Sequence, residues 1–130
     1  MVTGFEQETY ELTPFERENI LPRVVVSWRK KEEEQIITMK QMLIASNQKA
    51  AELGWLDKRG KPYKVTGPRM RKVIHAIRAH GIIPNLIASS RGYFKSSDEK
   101  KIKNFIKSCT ERANSFREVA QAMQTYNFER

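Results

Sequence analysis

With 130 residues, a 39% hydrophobic share and a net charge of +9, the chain has the material for one small, basic domain with a modest core. No apolar run approaches the ~20 residues of a membrane span, and MVTGFEQETYELT lacks the basic and apolar segments of a signal peptide, so a cytoplasmic protein without membrane association is expected. A single cysteine, Cys109, excludes an intrachain disulfide and with two histidines is too little for a zinc site, so no metal or other cofactor is expected.

Residues 1–11 show no periodicity and read as a flexible N-terminal arm. At Thr13 and Glu16 the spacing is that of a capping box, and Pro14 suits a first helical position. Ile20, Leu21, Val24, Val25 and Trp28 keep helical spacing, which predicts a first helix to about Trp28. Pro22 leaves two possibilities open, since a proline inside a helix costs about 3 kcal/mol. Either the helix kinks there, or a turn over residues 14–20 precedes a helix beginning at Pro22. Ile36 and Ile37 form a β-branched pair able to add a strand to a later hairpin. Thr38 and Gln41 repeat the capping-box spacing. Met39, Met42, Leu43, Ser46, Ala50 and Leu53 predict a second helix ending at Gly54, with the methionines as core packing.

Trp55 to Val65 (WLDKRGKPYKV) reads as a loop from its Asp57, Gly60 and Pro62. A third helix is predicted from Thr66, as N-cap, to Gly81, with Pro84 preventing its resumption. Met70, Val73, Ile74 and Ile77 share its apolar face; Arg71, Lys72, His75 and Ala79 fall opposite, with Arg69 and Arg78 on the shoulders. Leu86–Ala88 and Tyr93–Lys95 are strand-like runs joined by turn material at Ser89, Ser90, Arg91 and Gly92, with Tyr93 expected in the core. Ser96 and Glu99 suggest a third capping box before a long C-terminal helix. There Ile106, Cys109, Ala113, Phe116, Ala120 and Met123 alternate steps of three and four, and Cys109 is expected to be buried as a small hydrophobe. A partner chain covering this stripe makes the helix a dimerisation element; the alternative is a fold-back over the first helix.

The charge is localised. From Lys58 to Ser97 there are ten basic residues and no Asp or Glu, while the remainder, with 14 of the 24 basic and all 15 acidic residues, nets −1. A single-sign field attracts a polyanion. No nucleophile–base pair, carboxylate pair or phosphate loop accompanies it, and a non-enzymatic protein is expected. The basic helix and basic-tipped hairpin outline an α+β, mostly helical, winged helix-turn-helix: a three-helix core plus a β-hairpin wing over residues 12–96, followed by the C-terminal helix over 97–130. Such a domain would place Arg69, Arg71, Lys72 and His75 against base edges of double-stranded DNA. Arg78, Ser90 and Arg91 would reach phosphates or the minor groove, and Lys58, Arg59, Lys61 and Lys64 the flanking phosphates.

The stretch MRKVIHAIRAHGII with SSRGY after it resembles the winged helix-turn-helix of biotin-operon-repressor type, with Arg78, Gly81 and the Gly92-Tyr93 pair at suitable positions. That resemblance implies the fold and DNA binding through Arg69, Arg71 and Lys72. The chain departs from the repressor in having no ligase domain and a longer loop before the recognition helix, so biotin sensing does not carry over. The whole chain is also similar to small winged-helix proteins of bacterial genomes and prophages. The expected role is a transcriptional regulator or phage-related DNA-transaction factor; the rivals are a protein-interaction scaffold and an RNA-binding module.

Overall fold

A computed structural model describes residues 11–129. The expected flexible arm therefore lies outside the described residues except for Glu11. The chain divides into two compact units, one ending at Lys95 and the other beginning at Ser96. Among the described residues the fold is α+β and mostly helical, with four α-helices, the last of them long and C-terminal, and one two-stranded antiparallel hairpin.

Helical structure begins at Pro14. Thr13 and Glu16 form the reciprocal cap anticipated from their spacing: Glu16 N–H donates to Thr13 Oγ1 and Thr13 N–H to a Glu16 carboxylate oxygen. Of the two outcomes left open at Pro22, the structure is nearer the second, a turn followed by a helix, with the α-helix starting one residue earlier, at Leu21. Residues Glu16–Ile20 form a π-helical turn, in which the Leu21 N–H reaches back to the Glu16 carbonyl, and α1 (Leu21–Lys30) continues directly from it with Pro22 in its first turn. The wider turn accommodates a ring that lacks the N–H an uninterrupted α-helix would need. The second helix, α2 (Met39–Glu52), has the expected capping box at Thr38 and Gln41. The third, α3 (Gly67–Ala79), has Thr66 at its N-cap position, but the Thr66 hydroxyl makes no capping bond.

The four apolar residues assigned to one face of α3, Met70, Val73, Ile74 and Ile77, are the largest fully buried side chains of the fold. Ile20, Val24, Val25 and Trp28 of the first helical run, Met42 of α2, and Val65, Ile83 and Leu86 complete the core around them. This packing orients α3: with one stripe sealed, a helical period of ~100° per residue turns Arg71 and His75 outward. Gly81 ends the helix in the left-handed conformation at φ +64°.

Strands β1 (Leu86–Ser89) and β2 (Gly92–Lys95) pair antiparallel across a two-residue turn at Ser90-Arg91, with Ile87 opposite Phe94 and Ala88 opposite Tyr93. Ile37 adds a bridge to the hairpin, exchanging backbone hydrogen bonds of 2.8 and 2.9 Å with Tyr93. Tyr93 packs against the core, as anticipated.

The second unit contains α4 (Glu99–Phe128). Its cap is Asp98, whose carboxylate accepts from the Lys100 and Lys101 N–H groups, rather than the expected Ser96–Glu99 pair. Ser96 instead accepts the Asp98 N–H, which fixes the entry into the helix. Cys109 is exposed, contrary to its expected burial. No helix among the described residues is long and apolar enough to cross a membrane.

Candidate nucleic-acid interface

The basic stretch from Lys58 onward is rooted in ordered backbone. Residues 55–65 are not an open loop: Leu56 bridges Pro62, Tyr63 N–H donates to Trp55 O, and Asp57 N–H to Lys61 O. Asp57 Oδ1 accepts from the backbone N–H of Arg59 (2.8 Å) and Lys61 (3.0 Å), closing an Asx turn that leaves Lys58, Arg59 and Lys61 exposed. Below the turn Phe15, Trp55 and Tyr63 form an aromatic cluster with ring centroids 4.8–6.2 Å apart, and the Arg23 guanidinium stands 5.3 Å from the Trp55 ring. Burial, and after it the nearby Glu16 charge, push the Tyr63 phenol above its ordinary range, so it is a neutral packing group.

At the far end of this segment Asn47 of α2 grips both sides of one peptide. Val65 N–H donates to Asn47 Oδ1 at 2.7 Å, and Asn47 Nδ2 donates to Val65 O at 3.1 Å. Exposed Lys64 is thereby held next to an immobilised residue at the entry to α3. Asn47→Ala leaves two part-buried backbone groups without this partner; a stability loss of about 1–3 kcal/mol is expected, measured by urea unfolding. Nothing in the sequence pointed to Asn47, because its partner lies 18 residues away. Asp57 was legible as a turn residue, but its two backbone bonds were not.

The expected α3 residues separate into two groups. Arg71 and His75 are exposed one turn apart, and Lys72 beside them is half-buried. Arg69 leaves the candidate surface: its Nε donates to Glu16 Oε2 at 2.8 Å and its Nη2 to Glu16 Oε1 at 2.6 Å, with a further bond from Nη2 to the Glu11 carbonyl at 2.7 Å. The Glu16 side chain is only 4% exposed and that of Arg69 18%, so the pair is largely removed from water. A buried carboxylate demands a partner, and Arg69 is the cation that meets it in a fork geometry. Arg78 is also tethered, its half-buried guanidinium donating from Nε to the Leu86 carbonyl at 3.0 Å, which ties the end of α3 to β1.

At the hairpin tip Ser89 Oγ donates to Gly92 O and accepts from Arg91 N–H, so Ser89 shapes the turn while Ser90 and Arg91 remain exposed. The arrangement thus offers three cationic features on rigid supports: the Asx turn, the outer face of α3 and the hairpin tip. Among the described residues no group of three or more His, Cys, Asp and Glu could hold a metal ion. A groove of about 600 Å³ beside α1 and α2 has Trp28 and Met42 in its wall and Arg23, Lys30, Lys31 and Lys49 along it. Compared with protein-family models, curated proteins and solved structures, the chain has no match.

Proposed function

We propose that this protein binds double-stranded DNA as a winged helix-turn-helix, acting as a transcriptional regulator or phage-related DNA-transaction factor and not as an enzyme. The carrying observation is the segregation of α3 into a fully buried apolar stripe and an outward face bearing Arg71 and His75, within a 58–97 segment free of acidic residues. The order of elements supports the fold: helix, bridging Ile37, helix, helix, then a hairpin with a basic tip. In this reading α3 enters the major groove, where an arginine can grip guanine O6 and N7. Arg71 takes that role with Lys72 and His75 beside it. Ser90 and Arg91 serve as the wing contact, and Lys58, Arg59, Lys61 and Lys64 as phosphate contacts. Arg69 and Arg78 act as positioning residues for the helix and the wing.

A fluorescent random-sequence duplex titrated at several salt concentrations tests this. Each phosphate neutralised contributes about −0.9 to the slope of log K against log salt. Arg71→Glu/Arg91→Glu, two exposed changes on separate elements, is expected to flatten the slope by about 2 and weaken binding at least tenfold at low salt, with an unchanged circular dichroism spectrum. Absence of binding by the wild type at low salt would reject the DNA reading. Preference for an RNA duplex in competition would move the same surface to RNA.

The α1–α2 groove favours a second reading, docking of an acidic amphipathic helix, since its apolar wall is accompanied by four cations against one carboxylate, Glu18. Binding to such a partner through the groove would be impaired by Lys30→Glu/Lys49→Glu and untouched by Arg71→Glu.

A further inference from the structure

Helix α4 carries no buried residue; Ile102 and Phe105 near its start are half-buried, and its large apolar side chains from Ile106 onward are open to solvent. Ile106, Cys109, Ala113, Phe116, Ala120 and Met123 alternate steps of three and four, the spacing that keeps one seam turned toward a partner helix. Ile106, Phe116 and Met123 on it are 58%, 74% and 63% exposed, a concentration of large apolar groups on a single face. We propose that this seam is covered by α4 of a second copy of the chain, running antiparallel about a two-fold axis passing between Asn114 and Ser115. The inference does not depend on the nucleic-acid reading.

Side-chain sizes fix the direction. About this axis each Phe116 meets Ala113 of the second copy, Cys109 meets Ala120, and Ile106 meets Met123. A large ring is thus received by a small residue at the centre of the seam. Parallel and in register, Phe116 would stand against its own copy, flanked by Ala113–Ala113 and Ala120–Ala120 layers. The helices cannot close on the alanine layers while two rings hold them apart, so that packing is overfilled at one level and hollow at the next.

Charge selects the same direction. Residues 99–113 carry five basic and two acidic side chains, whereas residues 114–129 carry one basic and two acidic. Antiparallel pairing sets the basic half of each helix against the weakly acidic half of the other. Parallel pairing sets like halves together and brings Arg112 beside Arg117 of the second copy at the flanking positions. In the antiparallel register Arg112 lies beside Val119 and Arg117 beside Thr110, with no like-charge pair. The association is isologous and closes as a dimer, and at ~1.5 Å rise per residue it holds the two α4 N-termini about 45 Å apart.

Cys109 makes the register measurable. In the antiparallel dimer the two Cys109 residues are displaced along the axis by about 16 Å, eleven residues of rise, beyond any disulfide. The full-length wild type and Ala120→Cys would be equilibrated in reduced and oxidised glutathione. Sedimentation would run alongside, and disulfide-linked peptides would be mapped by mass spectrometry. A concentration-dependent dimer is expected for the wild type, with no Cys109–Cys109 linkage. Ala120→Cys is expected to form a covalent dimer in which Cys109 of one copy is joined to the introduced thiol of the other. The same separation forbids that bond within one helix. Phe116→Ala, with its helix content verified by circular dichroism, is expected to shift the equilibrium to monomer. A Cys109–Cys109 bond at equilibrium, or a wild type that remains monomeric at every concentration, would overturn the proposal.

Discussion

Arg69→Ala is expected to destabilise the fold by about 3–5 kcal/mol, because it strands a buried carboxylate. A domain has only about 5–15 kcal/mol in total, so urea unfolding followed by circular dichroism should show a midpoint reduced by a large fraction, or a chain already unfolded. The Glu16 carboxyl is pushed up by burial, but the hydrogen bond from Arg69, the Thr13 backbone N–H and the Arg69 charge more than offset this, so its pKa lies below the ordinary 4.5. A carboxyl with a depressed folded pKa stabilises the fold fully above its unfolded pKa. That contribution is lost as pH falls through the folded value. The wild type should therefore retain it at neutral pH and lose it in acid below about pH 4.5. Without the guanidinium, burial dominates at Glu16, and the acid-unfolding midpoint should move to higher pH. Replacing both partners with apolar residues, Glu16→Leu with Arg69→Met, is expected to recover part of the loss by removing the stranded charge, while the Thr13 cap stays broken. Equal destabilisation in the single and double variants would argue that the pair itself is not the source.

Gly92→Ala is expected to cost about 2–5 kcal/mol, combining backbone strain with overpacking. Gly92 has φ +140°, and a Cβ there would lie 2.6 Å from the Ile37 carbonyl oxygen and 3.0 Å from its carbon. That carbonyl accepts the Tyr93 N–H in the bridge, so it cannot withdraw without breaking a bond that ties the hairpin to the segment before α2. The loss should appear in urea unfolding, and hydrogen exchange at Tyr93 and Ile37 should accelerate more than at the α3 amides. An unchanged unfolding midpoint and unchanged exchange would remove the close approach as a constraint. In a nucleic-acid complex the same variant should lose the Arg91 contribution without any change to a charged residue.

The α3 residues were legible because local chemistry and tertiary packing agree there. Met70, Val73, Ile74 and Ile77 repeat at the helical period, and all four are sealed in the core. The capping boxes at Thr13 and Thr38 were similarly readable, since both partners of each bond lie within one turn. Pro22 was not, because two local rules conflicted and a π-helical turn reconciled them in a way no spacing rule specifies.

What the sequence by itself determined is therefore the class of the fold, the location of its charge, and the face of α3 that turns inward. All of these follow from periodicities and composition that act within a few residues. Tertiary structure decided which cations are left at the surface. Arg69 and Arg71 are two positions apart and chemically identical, yet one closes on Glu16, 53 residues away, and the other faces solvent. Asn47 and Gly92 likewise acquire their roles only when Val65 and Ile37 arrive beside them. A buried ion pair, a peptide clamp and a close backbone approach each need two distant segments to meet, and a single local stretch holds only one of the two partners.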